Sequence, residues 1–363
     1  MRQAGLDALV LYGSIDAHSE VLYLSNFPVT REAMLVFPLA GEPTLFLQMY
    51  NHVPNARKVA CIADVRWGGP DTAATVATHL RASGLAEQRI GFVGTLPLRH
   101  YETLRRELPA TALNNFTREM LQLRLVKSAE EIAFLRRGAE LSDRAIEALE
   151  REARPGLRER ELVAIVEGAY LGLGGKNHIH YMATTPMHNP SVCVPAQHQS
   201  TRIIEKGDVL ITEISANYFG YAGQILRPFA IGTPPTPQYQ HMYDVAVEAF
   251  QRIARVVRAG ASTEEVMDAA EYIHAQGFTI YDDLLHGFGG GYLPPILRTR
   301  RTSAQPHDSA PPFIFQENMT IVIQPNIITP DERMGVQVGE LLRVTRDGVE
   351  SLHGYPMRFI QCG

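Results

Sequence analysis

Four stretches of the 363-residue sequence carry side chains able to do chemistry: "ITEIS" (211–215), "GYAGQILRP" (220–228), "LLHGFGGGY" (284–292) and "QPN" (324–326). His286 has the residue type for proton transfer near neutrality, because an unperturbed imidazole titrates at about 6.5. Glu213 is a second proton carrier, or an anchor for a cationic substrate group; its structural alternative is a core carboxylate paired to Arg227. A lone carboxylate in a partly buried cage tends to a raised pKa, so Glu213 and His286 together make an acid/base pair. Gln224, Gln324 and Asn326 offer neutral groups that both donate and accept, suited to orienting amide, ureido or carboxylate functions. Arg227 is counted with these substrate-binding groups. Tyr221 and Tyr292 read as walls of the same site, and Gln337 and Glu340 as its rim. The glycines of "GFGGGY" are not a phosphate loop, since they lack the GxGxxG spacing and the strand–turn–helix setting.

The elements that must position these residues fall into two parts. "DALVLYG" (7–13), "REAMLVFPL" (31–39) and "PTLFLQM" (43–49) read as buried strands. A helix over 72–83, a strand over 89–94 and a helix over 98–108 follow, and this alternation predicts an α/β domain. Residues 1–118 are assigned to it and 119–363 to a second domain. The second domain opens on a long helix, 128–153, with Ser128 as N-cap and Glu131 completing a capping box. Further helices are expected near 236–258 and 262–276, with strands at 206–221, 319–328 and 335–345. Residues 298–312 are polar and proline-rich, and read as a loop.

Composition narrows the function. Hydrophobic residues make up 45% and charged residues 20%, as in ordinary globular chains, and the net charge of −5 includes no basic stripe for nucleic acid. Cys61, Cys193 and Cys362 form no metal or disulfide spacing, which fits a reducing cytosol. The apolar run near the N-terminus is too short for a signal segment, and no stretch approaches a membrane span. The expectation is a cytoplasmic protein with no membrane or nucleic-acid partner.

With those motifs in order, the chain resembles the creatinase / Xaa-Pro aminopeptidase / prolidase superfamily, whose catalytic domain has the pita-bread fold. "LRLVKSAEEIAFLRRGAELS" (123–142), "KGDVL", "GYxxQxxR", "HGFG", "IxxQPN" and "GVQVGELLRVTRDG" follow that family's order across nearly the whole chain. The resemblance implies a creatinase-like α/β N-terminal domain ahead of an α+β pita-bread domain. It also implies a site where two aspartates, a histidine and two glutamates hold two divalent ions. Carried over, those positions are Glu213, Gln224, His286, Gln324 and Gly339, so one carboxylate stands where four are expected. Hard dications need anionic oxygens to offset dehydration. Glu340, one residue along from Gly339, points to the opposite strand face. No metal and no other cofactor is therefore expected.

Creatinase, which works without metal, offers the nearest logic. Its acid/base histidine falls on Ala196 here, two positions before His198, and the resemblance makes His198 a third catalytic candidate. Its partner-subunit arginine falls within one residue of Arg31, which implies a homodimer with the N-terminal domain of one subunit near the site of the other. The resulting expectation is a metal-independent hydrolase that cleaves a C–N bond of a small amide, ureido or guanidino substrate. Two rivals stand beside it: a catalytically silent binding protein, and an Xaa-Pro peptidase with an atypical metal site.

Overall fold

The computed structural model describes residues 1–15, 20–303 and 312–363, and the chain divides into two compact units, Met1–Arg124 and Leu125–Gly363. Most of the loop expected over 298–312 lies outside the described residues.

The first unit contains β1 (Ala8–Ser14), α1 (Glu20–Ser25), β2 (Glu32–Pro38), β3 (Thr44–Leu47), α2 (Val53–Val59), β4 (Asp64–Trp67), α3 (Thr72–Ala82), β5 (Arg89–Val93), α4 (Leu98–Glu107), β6 (Ala112–Asn115) and α5 (Thr117–Leu123). Its strands form one mixed sheet in the order β4-β3-β2-β1-β5-β6. Two apolar clusters lie against it: one includes Leu9, Leu11, Leu35 and Leu45, the other Val10, Met34, Phe46 and Leu80. Burial on both faces explains why β1 reads as a continuous apolar run rather than an alternating one.

The second unit runs α6 (Ala129–Glu152), α7 (Glu159–Gly168), β7 (Lys176–Pro186), β8 (Asp208–Tyr218), β9 (Tyr221–Leu226), β10 (Phe229–Ile231), α8 (Pro237–Val256), α9 (Thr263–Ala275), β11 (Leu285–Phe288), β12 (Tyr292–Leu297), β13 (Thr320–Ile323), β14 (Asn326–Ile328), β15 (Gly335–Gln337), β16 (Gly339–Val344), β17 (Val349–Ser351) and β18 (Ile360–Cys362). The large sheet is ordered β12-β11-β13-β16-β9-β8-β10-β18, with β7 added to β8 and β17 to β16. Helix α6 carries the capping box its sequence announces, with Ser128 and Glu131 each accepting from the other's backbone N–H. Its apolar stripe of Leu141, Ala145, Ile146 and Leu149 packs on Ile214, Ala216 and Ile225 of the sheet.

Two stretches that read as single strands are broken. Residues 319–328 divide at Gln324-Pro325, and 335–345 divide at Val338, so that β14 and β15 leave the large sheet and pair with each other. Proline cannot donate to a ladder, which places the first break. These breaks set Gln324 and Gly339 at the points where the chain leaves and rejoins the sheet. Strand β11 begins at Leu285 and holds His286 within it.

Candidate functional site

A tight hairpin fixes the first half of the site. Phe219 and Gly220 both take positive φ, 49° and 89°, as a two-residue turn between right-twisted strands requires. This sets Ser215 opposite Gln224 in the β8–β9 ladder, and the alternation of the strand puts Glu213 on that same face. The second half comes from β11 and β13, where His286 pairs with Val322, two residues before Gln324. The backbone N–H of Gln324 donates to Leu284 O at 2.9 Å, which ties the end of β13 to the start of β11.

Four side chains meet there in a line. Gln224 Nε2 lies 3.0 Å from Glu213 Oε1 and 2.7 Å from Gln324 Oε1. His286 Nε2 lies 3.3 Å from Gln324 Oε1, and its Nδ1 lies 3.1 Å from Gly287 O. Gln224, Gln324 and His286 are wholly buried and Glu213 nearly so. The ring of Tyr292 stacks on His286 at 4.0 Å between centroids, and its hydroxyl donates to Asp283 Oδ2 at 3.0 Å.

Burial sets the protonation of the pair. It raises the Glu213 carboxyl from 4.5 to about 8, with the nearby charges of Asp282 and Asp283 adding to the rise. Burial lowers His286 from 6.5 to about 4, against the opposing pull of the Gly287 carbonyl, Asp283 and Gln324. At pH 7 both groups are neutral. A half-turn of both glutamine amides keeps every heavy atom in place and reverses the direction of each bond. In that sense Glu213 donates to Gln224, Gln324 donates to Gln224 and to His286 Nε2, and His286 Nδ1–H donates to Gly287 O. The neutral pair fits this second sense, since a neutral imidazole has only one N–H to give. The opposite sense suits an ionised Glu213 and a doubly protonated His286.

Several polar atoms around this line have no hydrogen-bond partner among the described residues: Ser215 Oγ and the outer amide atoms of Gln224 and Gln324. Each costs desolvation energy unless a ligand meets it. Sequence reasoning named Gln337 only as rim and missed Ser215, Tyr181, Asp282 and Asp283. Tyr181 stands directly opposite Glu213 in the β7–β8 ladder, so both side chains share a face. Strand alternation through Glu213 marks Ser215, but nothing local marks the register that selects Tyr181.

Other expected site residues lie elsewhere. Arg227 is fully buried, and all its donors are in use: Nε to Pro356 O, Nη1 to Leu226 O and Gly339 O, Nη2 to Tyr355 O and Glu340 Oε2. It braces the sheet and has no donor left for a substrate. Its carboxylate partner is Glu340, not Glu213, at 2.5 Å. Tyr221 sits on the strand face opposite Gln224, and its hydroxyl donates to Glu131 on α6 at 3.2 Å. Asn326 braces two loops, its Oδ1 accepting from Tyr281 N and its Nδ2 donating to Cys193 O. His198 is exposed and bonds to no site residue among those described; the Met182 N to Ala196 O bond holds its loop against β7. Arg31 is exposed in the first unit, just before β2.

The donor set does not fit the metal pair that the resemblance implies. Gln224 and Gln324 bind each other, and a Cβ at Gly339 would lie 2.4 Å from Ile323 O and 2.8 Å from Gln324 Cα. Backbone has closed over that position, so no ligand can stand there. Among the described residues, no three His, Cys, Asp or Glu side chains stand together in a way that could hold an ion. Nor, among them, is any helix long and apolar enough to cross a membrane.

Comparison with known proteins places this architecture. An Xaa-Pro dipeptidase of Pyrococcus furiosus is 26% identical over 266 residues, 73% of each chain. An uncharacterized peptidase of Bacillus subtilis is 24% identical over 364 residues, covering 99% of this chain and 96% of its own. The crystal structure of an X-Pro aminopeptidase from Thermotoga maritima superposes with a TM-score of 0.82 at 20% identity, covering 99% of both chains. A prolidase from Pyrococcus horikoshii does so with a TM-score of 0.82 at 21% identity, covering 99% and 97%. At such identities the structural likenesses carry the fold alone. These relatives are peptidases, so the special nearness to creatinase that the motif logic suggested finds no support in them. The profile of the creatinase/prolidase N-terminal domain matches residues 1–126 and that of metallopeptidase family M24 matches residues 133–346, and the chain belongs to family M24.

Proposed function

We propose that this protein hydrolyses the amide bond of a small substrate of the Xaa-Pro dipeptide class, with Glu213 and His286 doing the proton work that a metal pair would otherwise do. The peptidase relatives move the substrate class from guanidino and ureido compounds to peptides. The observation that carries the chemistry is the line Glu213–Gln224–Gln324–His286, two buried proton carriers joined through paired amides at 3.0, 2.7 and 3.3 Å.

The roles follow from protonation. Neutral Glu213, turning its one O–H from Gln224 to the substrate, donates to the carbonyl as its oxygen gains negative charge, an oxyanion contact made by a protonated carboxyl. Once the Gln324 amide turns from Nε2 to the substrate, neutral His286 takes a proton at that nitrogen from water as the water oxygen bonds to the carbonyl carbon. The imidazolium then returns that proton to the leaving nitrogen as the C–N bond breaks, so the base is regenerated. Ser215 and the outer amide atoms of Gln224 and Gln324 hold the substrate's polar groups, and Tyr292 holds the imidazole plane.

The test is release of proline from Xaa-Pro dipeptides by chelator-treated protein, by E213Q and by H286Q. Turnover by the treated wild type that falls at least a hundredfold in each variant supports the reading. Binding without turnover would leave a silent binding protein, and activity that appears only with added metal would overturn the metal-free chemistry.

A further inference from the structure

His286 is wholly enclosed, although the proposed reaction brings water to its ring. Among the described residues, the groups that bond to that ring or pack an aromatic ring against it fall into two kinds. Gln324 meets Nε2 at 3.3 Å, Gly287 O meets Nδ1 at 3.1 Å, and Phe288 stands edge-on at 5.4 Å between centroids. These are all buried. Tyr292 differs, because it reaches solvent. Its ring lies on the imidazole at 4.0 Å and 17°, while 41% of the residue stays exposed. Tyr292 is therefore the layer between His286 and the surface.

The way Tyr292 is held suits a part that moves. At its tip, the hydroxyl donates to Asp283 Oδ2 at 3.0 Å, and Arg298 Nε, 3.4 Å from Asp283 Oδ1, steadies that carboxylate. At its root, Tyr292 pairs with Phe288 across Gly289, Gly290 and Gly291, whose φ values are 139°, 102° and 119°. Only glycine takes such values without strain, and it resists backbone rotation least. Leu293, next along the chain, is buried and paired with Gly287, so the mobile part ends at Tyr292. Packing alone requires neither the exposed face, nor the surface bond, nor the glycine root.

We propose that Tyr292 is the gate of this site: it stands shut on His286 in this structure, swings out about Gly289–Gly291 when its bond to Asp283 breaks, and so admits substrate and water. Shut, it holds the imidazole plane. Open, it uncovers the ring. The Asp283 bond is the latch, since it is the one hydrogen bond of the tyrosine hydroxyl among the described residues. Losing a hydrogen bond to a charged group shifts such an equilibrium by about tenfold or more.

This inference rests on the proposed site, and its test is separable from hydrolysis. Diethyl pyrocarbonate acylates an imidazole nitrogen that solvent can reach, and peptide mass spectrometry reads each of the 13 histidines by itself. His286 is expected to react slowly in the wild type and about tenfold faster in Y292F and D283A, which remove the latch. Y292A, which removes the cover as well, is expected to react faster still. The Gln324 bond to Nε2 is common to all four proteins, so their ratios read the cover alone. His180, buried on β7, controls for a loosened fold, and exposed His198 for the reagent. Unchanged His286 reactivity in Y292F or in D283A, or an equal rise at His180, would overturn the gate. Faster reaction of His286 in these variants, with no Xaa-Pro turnover by the wild type, would sink the proposed hydrolysis and leave the gate standing.

Discussion

Replacing Glu213 by glutamine should stabilise the protein, and increasingly so as the pH rises. The carboxyl titrates at 4.5 when unfolded and at about 8 in the fold, so the folded chain holds its proton longer. Between those values the unfolded state binds fewer protons than the folded one, and folding stability falls with rising pH. Each pH unit is worth about 1.4 kcal/mol, so the penalty reaches about 3 kcal/mol at pH 7 and about 5 at pH 8 as a ceiling. His286 works in the other direction. Its folded pKa of about 4 lies below the ordinary 6.5, so its contribution is whole above pH 6.5 and is lost as the pH falls toward 4. From about 4.5 to 6.5 the two slopes cancel, and above 6.5 the Glu213 penalty stands alone. E213Q keeps a donor for Gln224, its amide N–H, and removes the penalty. Urea unfolding of wild type and E213Q at pH 5, 6, 7 and 8 should show near-equal stability at pH 5 and a widening gain toward pH 8. Far-ultraviolet circular dichroism is the right probe, because the one tryptophan, Trp67, lies in the first unit. An E213Q protein less stable than wild type at pH 8, or a difference independent of pH, would show that Glu213 is ionised in the fold.

Other outcomes follow from the same geometry. H286Q should become more stable than wild type as the pH falls below 6.5, by up to about 3 kcal/mol at pH 4, while abolishing hydrolysis; a difference that does not grow toward low pH would show His286 protonated in the fold. R227M should cost about 3–5 kcal/mol by leaving Glu340 without its cation and several buried carbonyls without their donor, read as a lowered urea midpoint. G339E should destabilise by several kcal/mol and still bind no manganese, since the new Cβ meets Ile323 O and Gln324 Cα; a soluble variant that gains metal would refute the closure of that position. H198A should leave turnover within about twofold of wild type, because that exposed ring bonds to no site residue among those described.

Much of this architecture is written locally. Ser128 and Glu131 announce α6, and strand–helix alternation announces the first unit. The creatinase-like N-terminal domain and the pita-bread domain stand as the motif order suggested. The core of the site was legible too, because Glu213, Gln224, His286 and Gln324 sit at motif positions that the β8–β9 hairpin and β11 and β13 draw together. What failed was of two kinds. Arg227 has the residue type for substrate recognition, but its guanidinium answers five acceptors contributed by chain more than a hundred residues away as well as by its neighbour, and no local pattern shows that. Tyr181, Asp282 and Gln337 depend on register and on strand breaks. Pro325 hinted at one break, whereas the break at Val338 carries no signature in its residue type. His198 was assigned by counting back along a loop, and it stands exposed there.

The central claim is that this site works on protons held by Glu213 and His286 and owns too few anionic ligands for a metal pair. The most direct test is metal content by mass spectrometry of protein equilibrated with manganese or cobalt and then desalted, with Xaa-Pro turnover measured on the same sample before and after chelation. The account predicts well under one ion per chain and turnover unchanged by the chelator. Two ions per chain, with turnover lost on chelation and restored by metal, would contradict it.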